Sequence, residues 1–357
     1  PRSPIPRISP PAVLHVEMDA FYVTVHLLDQ GEEAGVPLVV GGHRDARGVV
    51  PPASYEARRH GVRSAMPTAQ ALRLCPSLKI VPPDWPRIRH CSQQVMAVLG
   101  EYGPLEKMSV DEAYVDVGQW DGAEGVARAV FERVPAETGL PCSVGLATSK
   151  LVAKVASDFN KPRGFTVVSP GAEAAFLAPL PARAIWGIGP RTAERLAALD
   201  IHTCGELAAA DLDRLRGAFG REAEKMIRRA QGIDERPVEP DHGPPKSISQ
   251  EWTFSRDVAD AHVLRERLRE MAAEVAADLQ KRNLLAHTVR VKFRAPDFTT
   301  FTRQRSLEIG TDDAAILYRI AAAIWAEHWP AGKPMRLLGV AAVGLVAGEG
   351  RQLGLGL

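Results

Sequence analysis

The stretch HVEMDAFY, residues 15–22, sets Glu17 and Asp19 at alternate positions after the β-prone run Val13, Leu14, His15 and Val16, then places Phe21 and Tyr22 directly behind them. Residues i and i+2 share one face of a strand, so two carboxylates fall on one side of a segment that otherwise reads as buried. A buried carboxylate is costly unless a cation, a basic partner or water stays with it. A second β-prone segment, MSVDEAYVDV at 108–117, repeats the pattern with Asp111 and Glu112 beside Tyr114. Two readings stand together here. The strand ends lie at the surface and the acids are solvated, or the segments jointly hold hard divalent cations such as Mg²⁺, which favour a few carboxylates plus substrate phosphates. Two such ions about 4 Å apart activate an attacking hydroxyl and stabilise a leaving pyrophosphate.

Basic residues accompany the acids. In SYEAR at 54–58, Tyr55 and Arg58 stand at i, i+3 on one helical face, where a hydroxyl and a guanidinium can grip one phosphate. An ordinary amphipathic helix with a surface arginine reads equally well. Lys150, Lys154 and Lys161 form a second basic group around SDFNKP, and Lys161, just before Pro162, falls past a helix end, although solvated lysines are common there. In 288–294, alternation puts Val289, Val291 and Phe293 on one face and Arg290, Lys292 and Arg294 on the other, with Thr299, Thr300, Arg303 and Arg305 on the next strand. Five basic residues and one acid, Asp297, in 288–305 suit a phosphate-binding face, or a solvated outer face of a sheet. Gly187 and Gly189 in IWGIGP would let backbone N–H groups approach a phosphate at a helix N-terminus, or would simply make a turn.

The chain has 357 residues, 45% apolar and 24% charged, with 28 prolines and 30 glycines, the composition of a multidomain globular protein. Its net charge of +1 gives no global signal for nucleic acid, so such a role rests on local patches. Four well-separated cysteines without a C-x-x-C pair suit a reducing cytosol and buried thiols. No apolar run approaches the roughly 20 residues of a membrane span. The start, PRSPIPRISPP at 1–11, reads as a flexible lead-in. Strands are expected at 37–42, 108–117 and 142–147, and helices at 54–59, 69–74, 87–102 and 149–159. A helical region follows over about 175–236, and PVEPDHGPP at 237–245 reads as a linker. Beyond it, strands at 288–294, 299–307 and 337–345 are expected among helices at 261–282 and 313–328.

HVEMDAFY, VVPPASYEARRHGVRSAMPTAQAL, MSVDEAYVD and VGLATSKLVAKVASDFNKPRG, in this order, resemble the Y-family translesion DNA polymerases of the DNA polymerase IV (DinB-type) branch. IWGIGPRTAERL, KSISQEWTF and VKFRAPDFTTFTRQRSL extend the resemblance over about 13–345. It implies an α+β multidomain fold, a right-hand polymerase with palm (12–20 and 84–174), small fingers (21–83), a helical thumb with a helix-hairpin-helix (175–236), and a C-terminal α/β little finger (246–349). It implies template-directed, low-fidelity addition of dNTPs to a primer 3′-hydroxyl without proofreading, on primer-template DNA, by a cytoplasmic bacterial monomer using two Mg²⁺ ions, with Mn²⁺ able to substitute.

Carried over by position, Asp111 matches a shared metal ligand and Glu112 the acid nearest the primer hydroxyl. Glu17 matches the other metal-ligand position, and Met18 would offer its backbone carbonyl. Tyr55, Arg58 and Lys161 match the triphosphate grip. Tyr22 matches the aromatic gate against a ribose 2′-OH, with Phe21 beside the base or sugar, and Asp19 is read as support. Gly187, Gly189 and the basic strands match DNA contacts. The tail QLGLGL (352–357), opening on Gln352 and ending on Leu357, resembles a sliding-clamp peptide and competes with a frayed Gly-Leu end.

Two departures matter. The family has Asp at the position of Glu17, and misplacement near 1 Å costs on the order of 10²-fold in rate. It has Ser or Thr at the position of Pro52, which supplies neither hydroxyl nor N–H. An active polymerase with weakened nucleotide or metal affinity is expected. A catalytically weak or silent homologue that binds DNA or the clamp, and a helix-hairpin-helix repair protein without nucleotide chemistry, are the rival classes.

Overall fold

The computed structural model describes residues 11–28, 35–41, 47–50 and 52–348. The expected lead-in (except Pro11) and the 350–357 tail lie outside the described residues. The chain divides into two compact units: the second starts at His242, within the proline-glycine segment, and also takes in Arg47 and Gly48, while the remaining described residues before it form the first.

The first unit centres on a five-stranded sheet: β1 (Val13–Met18), β4 (Leu105–Lys107), β5 (Glu112–Asp116), β6 (Cys142–Ala147) and β7 (Phe165–Val167), ordered β4-β5-β1-β6-β7. β1 pairs antiparallel with both β5 and β6. Alternation sorts β1 by face. Leu14, Val16 and Met18 pack with Ile88, Cys91, Val95 and Leu99 of α4 (Trp85–Gly100) and with Ala127, Val130 and Val134 of α5 (Ala123–Thr138). Val13 points to the other face, against α6 (Lys150–Phe159). Ser149 caps α6 by accepting from Val152 N, the expected N-cap chemistry.

After β1 the chain turns at once into α1 (Phe21–Leu27), then runs through β2 (Leu38–Val40), α2 (Tyr55–Arg59), α3 (Thr68–Leu74) and β3 (Lys79–Val81), with β2 and β3 pairing in parallel. A second core, built around Leu177, Ile185, Leu196, Leu207, Leu215 and Met226, gathers α7 (Glu173–Leu177), α8 (Pro190–Ala197), α9 (Cys204–Ala208), α10 (Leu212–Phe219) and α11 (Glu222–Ala230).

The second unit packs α12 (Ala261–Lys281) and α13 (Ala314–His328) on a four-stranded antiparallel sheet of β8 (Ser247–Val258), β9 (Leu284–Arg294), β10 (Thr300–Thr311) and β11 (Met335–Ala347), ordered β10-β9-β11-β8. The segment 108–117, expected as one strand, is a strand only from Glu112. Met108 N and Ser109 N both reach the Glu112 carbonyl, so a tight turn precedes β5. Strands β3, β4, β7 and β8 have no counterpart among the expected elements. Among the described residues no helix is long and apolar enough to cross a membrane, and all four cysteines are free and buried.

Candidate active site

Register joins the two acidic segments. Glu17 of β1 lies directly opposite Glu112 of β5, and His15 opposite Tyr114, so these four side chains share the sheet face that α6 covers. Asp111 sits in the turn before β5 and escapes strand alternation, which would have sent it to the face opposite Glu112. Its carbonyl accepts from Met18 N at 2.9 Å, and its carboxylate accepts from the Ser109 hydroxyl at 2.5 Å. Met18 and Asp111 therefore close one end of the β1–β5 pair.

Countercharge comes from α6 and the loop after it. Lys154 Nζ lies 2.5 Å from Glu112 Oε1 and 3.5 Å from Glu17 Oε2. Lys161 pairs with Glu17, and with Asp158 at 2.6 Å. Burial opposes the charge on Lys154, but Glu17 and Glu112 hold its ammonium above the usual lysine range. Burial also works against the Glu112 charge, but bonds from His15 and Lys154 hold that carboxyl below its ordinary range. Asp111 behaves oppositely: burial pushes its carboxyl up, and Glu17 and Glu112 add to the rise against the Ser109 bond. Lys150 stands apart from the acidic end. It forms a buried pair with Glu106 at 2.6 Å and donates to the Pro237 carbonyl, while Glu106 also accepts from Glu239 N.

Asp19 lies just beyond β1, buried and fully used: it accepts from the Ser143 hydroxyl (2.9 Å), Arg163 N (2.7 Å) and the Tyr55 hydroxyl (3.1 Å). That tie draws α2 toward the acids. Arg58 stacks over the Tyr55 ring at 4.6 Å and donates through Nε to the Ala53 carbonyl. Pro52, half-buried, leads into Ser54, whose hydroxyl caps α2 and accepts from Leu38 N. Of the aromatic pair, Phe21 is 1% exposed, inside the core, and offers no ring face to a ligand. Tyr22 is half-buried and meets Trp85 edge-on at 5.9 Å, its hydroxyl pushed up by burial and by Asp111. His15 and Ser157 join this assembly without having been singled out in the sequence. Their signal is spacing: His15 is two residues before Glu17 on one strand, and Ser157 is one helical turn after Lys154.

At the expected DNA contacts, Gly187 takes φ +98°, a conformation open to glycine, and Gly189 is the N-cap of α8. Trp186 is exposed beside them, with Arg236 over its ring. In the four-stranded sheet, Val289, Val291 and Phe293 are buried, as alternation requires. The basic residues do not form one face, however. Thr300, Thr302 and Gln304 pair with Arg294, Lys292 and Arg290, whereas Arg303 and Arg305 pair with Val291 and Val289. Paired residues share a face, so Arg303 and Arg305 lie on the helix side, where Arg305 reaches Glu327 of α13 at 3.0 Å. Thr299 is exposed before β10, its N–H on Asp297.

Family models match the impB/mucB/samB family over residues 16–158, the IMS family HHH motif over 170–201, and the impB/mucB/samB family C-terminal domain over 245–355. The chain is 42% identical over 347 residues to a DNA polymerase IV of Methanoculleus marisnigri, covering 95% of this chain and 96% of that protein. It is 40% identical over 352 residues to a DNA polymerase IV of Alkalilimnicola ehrlichii, covering 96% and 98%. Among solved structures, a Y-family DNA polymerase chimera superposes with a TM-score of 0.82 at 26% identity, covering 94% of this chain and 99% of that one. DinB from Sulfolobus solfataricus gives 0.63 at 26% identity with the same coverage. With a motif order, a mixed α/β architecture and homology that all agree across nearly its whole length, this chain belongs to the impB/mucB/samB family, the Y-family polymerases of the DinB type.

Proposed function

We propose that the acidic end of β1 and β5 is the reaction centre of a DNA-directed DNA polymerase of the low-fidelity translesion type. The reaction joins a primer 3′-hydroxyl to the α-phosphate of a template-matched dNTP and releases pyrophosphate. The observation that carries this reading is the meeting of Glu17 and Glu112 beside the lysines of α6, with Asp111 at the same end of the β1–β5 pair and Tyr55, under Arg58, tied to that end through Asp19. The donor set suits a hard divalent cation. The Glu17 and Glu112 carboxylates lie within 4.8 Å of each other and of a His15 ring nitrogen, and Glu17 and Glu112 add like charge to the upward push of burial on Asp111, which a cation relieves.

Glu17, Asp111, Glu112 and the Met18 carbonyl would hold two Mg²⁺ ions, with Mn²⁺ able to substitute. When bound, such ions neutralise phosphate charge and favour the hydroxyl as nucleophile. The remaining work falls to the chain. Tyr55, Arg58 and Lys161 grip the triphosphate through charge-assisted bonds, Lys161 exchanging Glu17 for a phosphate oxygen. Tyr22, braced by Trp85, crowds the sugar 2′ position. Asp19 holds Tyr55 and the Arg163 backbone in place. Gly187 and Gly189 at the start of α8, and the face bearing Arg290, Lys292, Arg294, Thr299 and Thr300, hold DNA by its phosphates without reading sequence.

In this reading residues 12–20 and 84–174 are the palm, 21–83 the fingers, 175–236 the thumb and 246–349 the little finger, joined by the 237–245 linker. The enzyme works as a cytoplasmic monomer, and 352–357 docks on a sliding clamp. Primer extension with Mg²⁺ and with Mn²⁺, on wild type and Asp111→Ala, tests the activity: extension by wild type alone supports it, and no extension by either overturns it. Undiminished clamp stimulation after deleting 352–357 would remove the clamp assignment.

A further inference from the structure

His15 is fully buried on β1, and both of its ring nitrogens are engaged. Nδ1 lies 2.7 Å from the Ser157 hydroxyl of α6, and Nε2 lies 2.8 Å from Glu112 Oε1. The Tyr114 ring packs against the imidazole at 4.7 Å, which fixes its plane. A carboxylate oxygen accepts, so in the bond to Glu112 the hydrogen lies on Nε2. Nδ1 faces the Ser157 hydroxyl, a group that both donates and accepts. The Lys154 carbonyl, 2.8 Å away, can accept the hydrogen of the same hydroxyl, which ties Ser157 to the backbone of α6.

The geometry assigns His15 and Ser157 as positioning residues for Glu112: the Ser157 hydroxyl holds the far side of the His15 ring, and the Nε2–H of that ring pins one oxygen of the carboxylate. Lys154 meets the same oxygen, Oε1, from the helix side. Among the described residues nothing donates to Oε2, which leaves the second oxygen for the reaction. Ser157, His15 and Glu112 thus form a chain of bonds from α6 through β1 to β5. It sets the carboxylate angle independently of the lysines, whose partners change when metal and nucleotide arrive. Outer hydrogen-bond partners of ligating carboxylates act in this way in metal sites generally.

This inference rests on the polymerase reading, and the test separates the two. Single-turnover incorporation of one dNTP with Mg²⁺ is measured on the full chain for wild type, Ser157→Ala, His15→Leu and His15→Gln, each normalised to its active fraction. Ser157→Ala is expected to lower the maximal rate about tenfold with the dNTP KM within about twofold of wild type. His15→Leu should lose at least as much, and His15→Gln, whose amide can donate to Glu112, should recover most of the rate. In ¹⁵N-edited spectra, wild type should show a His15 Nε2–H protected from solvent exchange and Ser157→Ala one that exchanges faster. An unchanged maximal rate in Ser157→Ala, a loss confined to KM or to thermal stability, or a His15→Gln no faster than His15→Leu overturns the proposal. Where His15→Leu fails to fold, Ser157→Ala and the exchange measurement decide. If wild type incorporates no nucleotide the polymerase reading falls, and the exchange measurement still decides the hydrogen-bond chain.

Discussion

In the five-stranded sheet, Glu17 and Glu112 face each other across neighbouring strands and take their countercharge from a third element, α6. In the four-stranded sheet, the charges on β9 are satisfied by the sheet itself: Arg290 bonds Gln304 of β10 at 2.8 Å, and Lys292 pairs with Glu251 of β8 at 2.8 Å. Both are charged faces of antiparallel strands, but the first is partly buried and the second open to solvent. Where carboxylates and lysines share a desolvated space, removing one member leaves its partner uncompensated, and the cost is large. Where the groups are solvated, salt screens each of them and their effects add. The acidic end behaves as one unit, whereas the basic face is a sum of small contributions.

The contrast can be broken at several points. Asp111→Ala should reduce primer extension by at least about 10³-fold, several kcal/mol of lost charge organisation. More than a tenth of wild-type activity in that variant would mean that the acids do not act as a unit. Tyr22→Ala should cut discrimination against ribonucleotides about 10- to 100-fold, the range expected when a clash of about 1–3 kcal/mol is relieved. Incorporation assays with paired dNTP and rNTP substrates read this directly, and unchanged selectivity would remove the gate. Glu17→Asp withdraws the carboxylate from Lys161 and should lower the Mg²⁺ concentration for half-maximal extension about tenfold, below the limit of about 10² set by a misplaced group. A higher requirement would show that the longer acid is the better fit to this site. Smallest of all, Arg290→Ala and Arg294→Ala should each weaken primer-template binding a few-fold, about equally across sequences, and reduce the salt slope by about one. Arg303→Ala and Arg305→Ala, on the helix side of the sheet, should do less. Equal effects from both pairs would mean that DNA wraps the edge strand β10 rather than lying on one face.

Much of this was legible from local pattern. The core spacing of α4 and the buried face of β9 follow a clean period, the strand at 142–147 is a short run buried throughout, and the expected helices at 54–59 and 149–159 match α2 and α6 to within one residue. β8 was not, because its burial is sparse: within Ser247–Val258 only Ile248 and Phe254 are buried, six residues apart, so neither face shows an alternating run. The site was legible as a set of residue types and illegible as an arrangement. No local pattern says that Asp111 lies outside its strand, in a turn where alternation no longer assigns its face. Nor does composition divide Arg303 and Arg305 from Arg290, because the division is made by cross-strand register. Phe21 and Tyr22 look equivalent on paper, and only the direction in which α1 leaves β1 buries one and presents the other.

That direction is set at Ala20, whose backbone is left-handed at φ 45° and ψ 45° between the acid-bearing strand and α1. The conformation costs an L-residue about 1–2 kcal/mol, offset here by burying its methyl with Val23, Leu38 and Val40 and by the Thr24 hydroxyl on the Asp19 carbonyl at 2.8 Å. Glycine would adopt the same turn without that strain, and also many others. The angle between the acid-bearing strand and the Tyr22 ring is therefore held by a residue that tolerates few alternatives. Selection for stability alone and selection for a fixed distance between chemistry and substrate checking would choose different side chains at this single position.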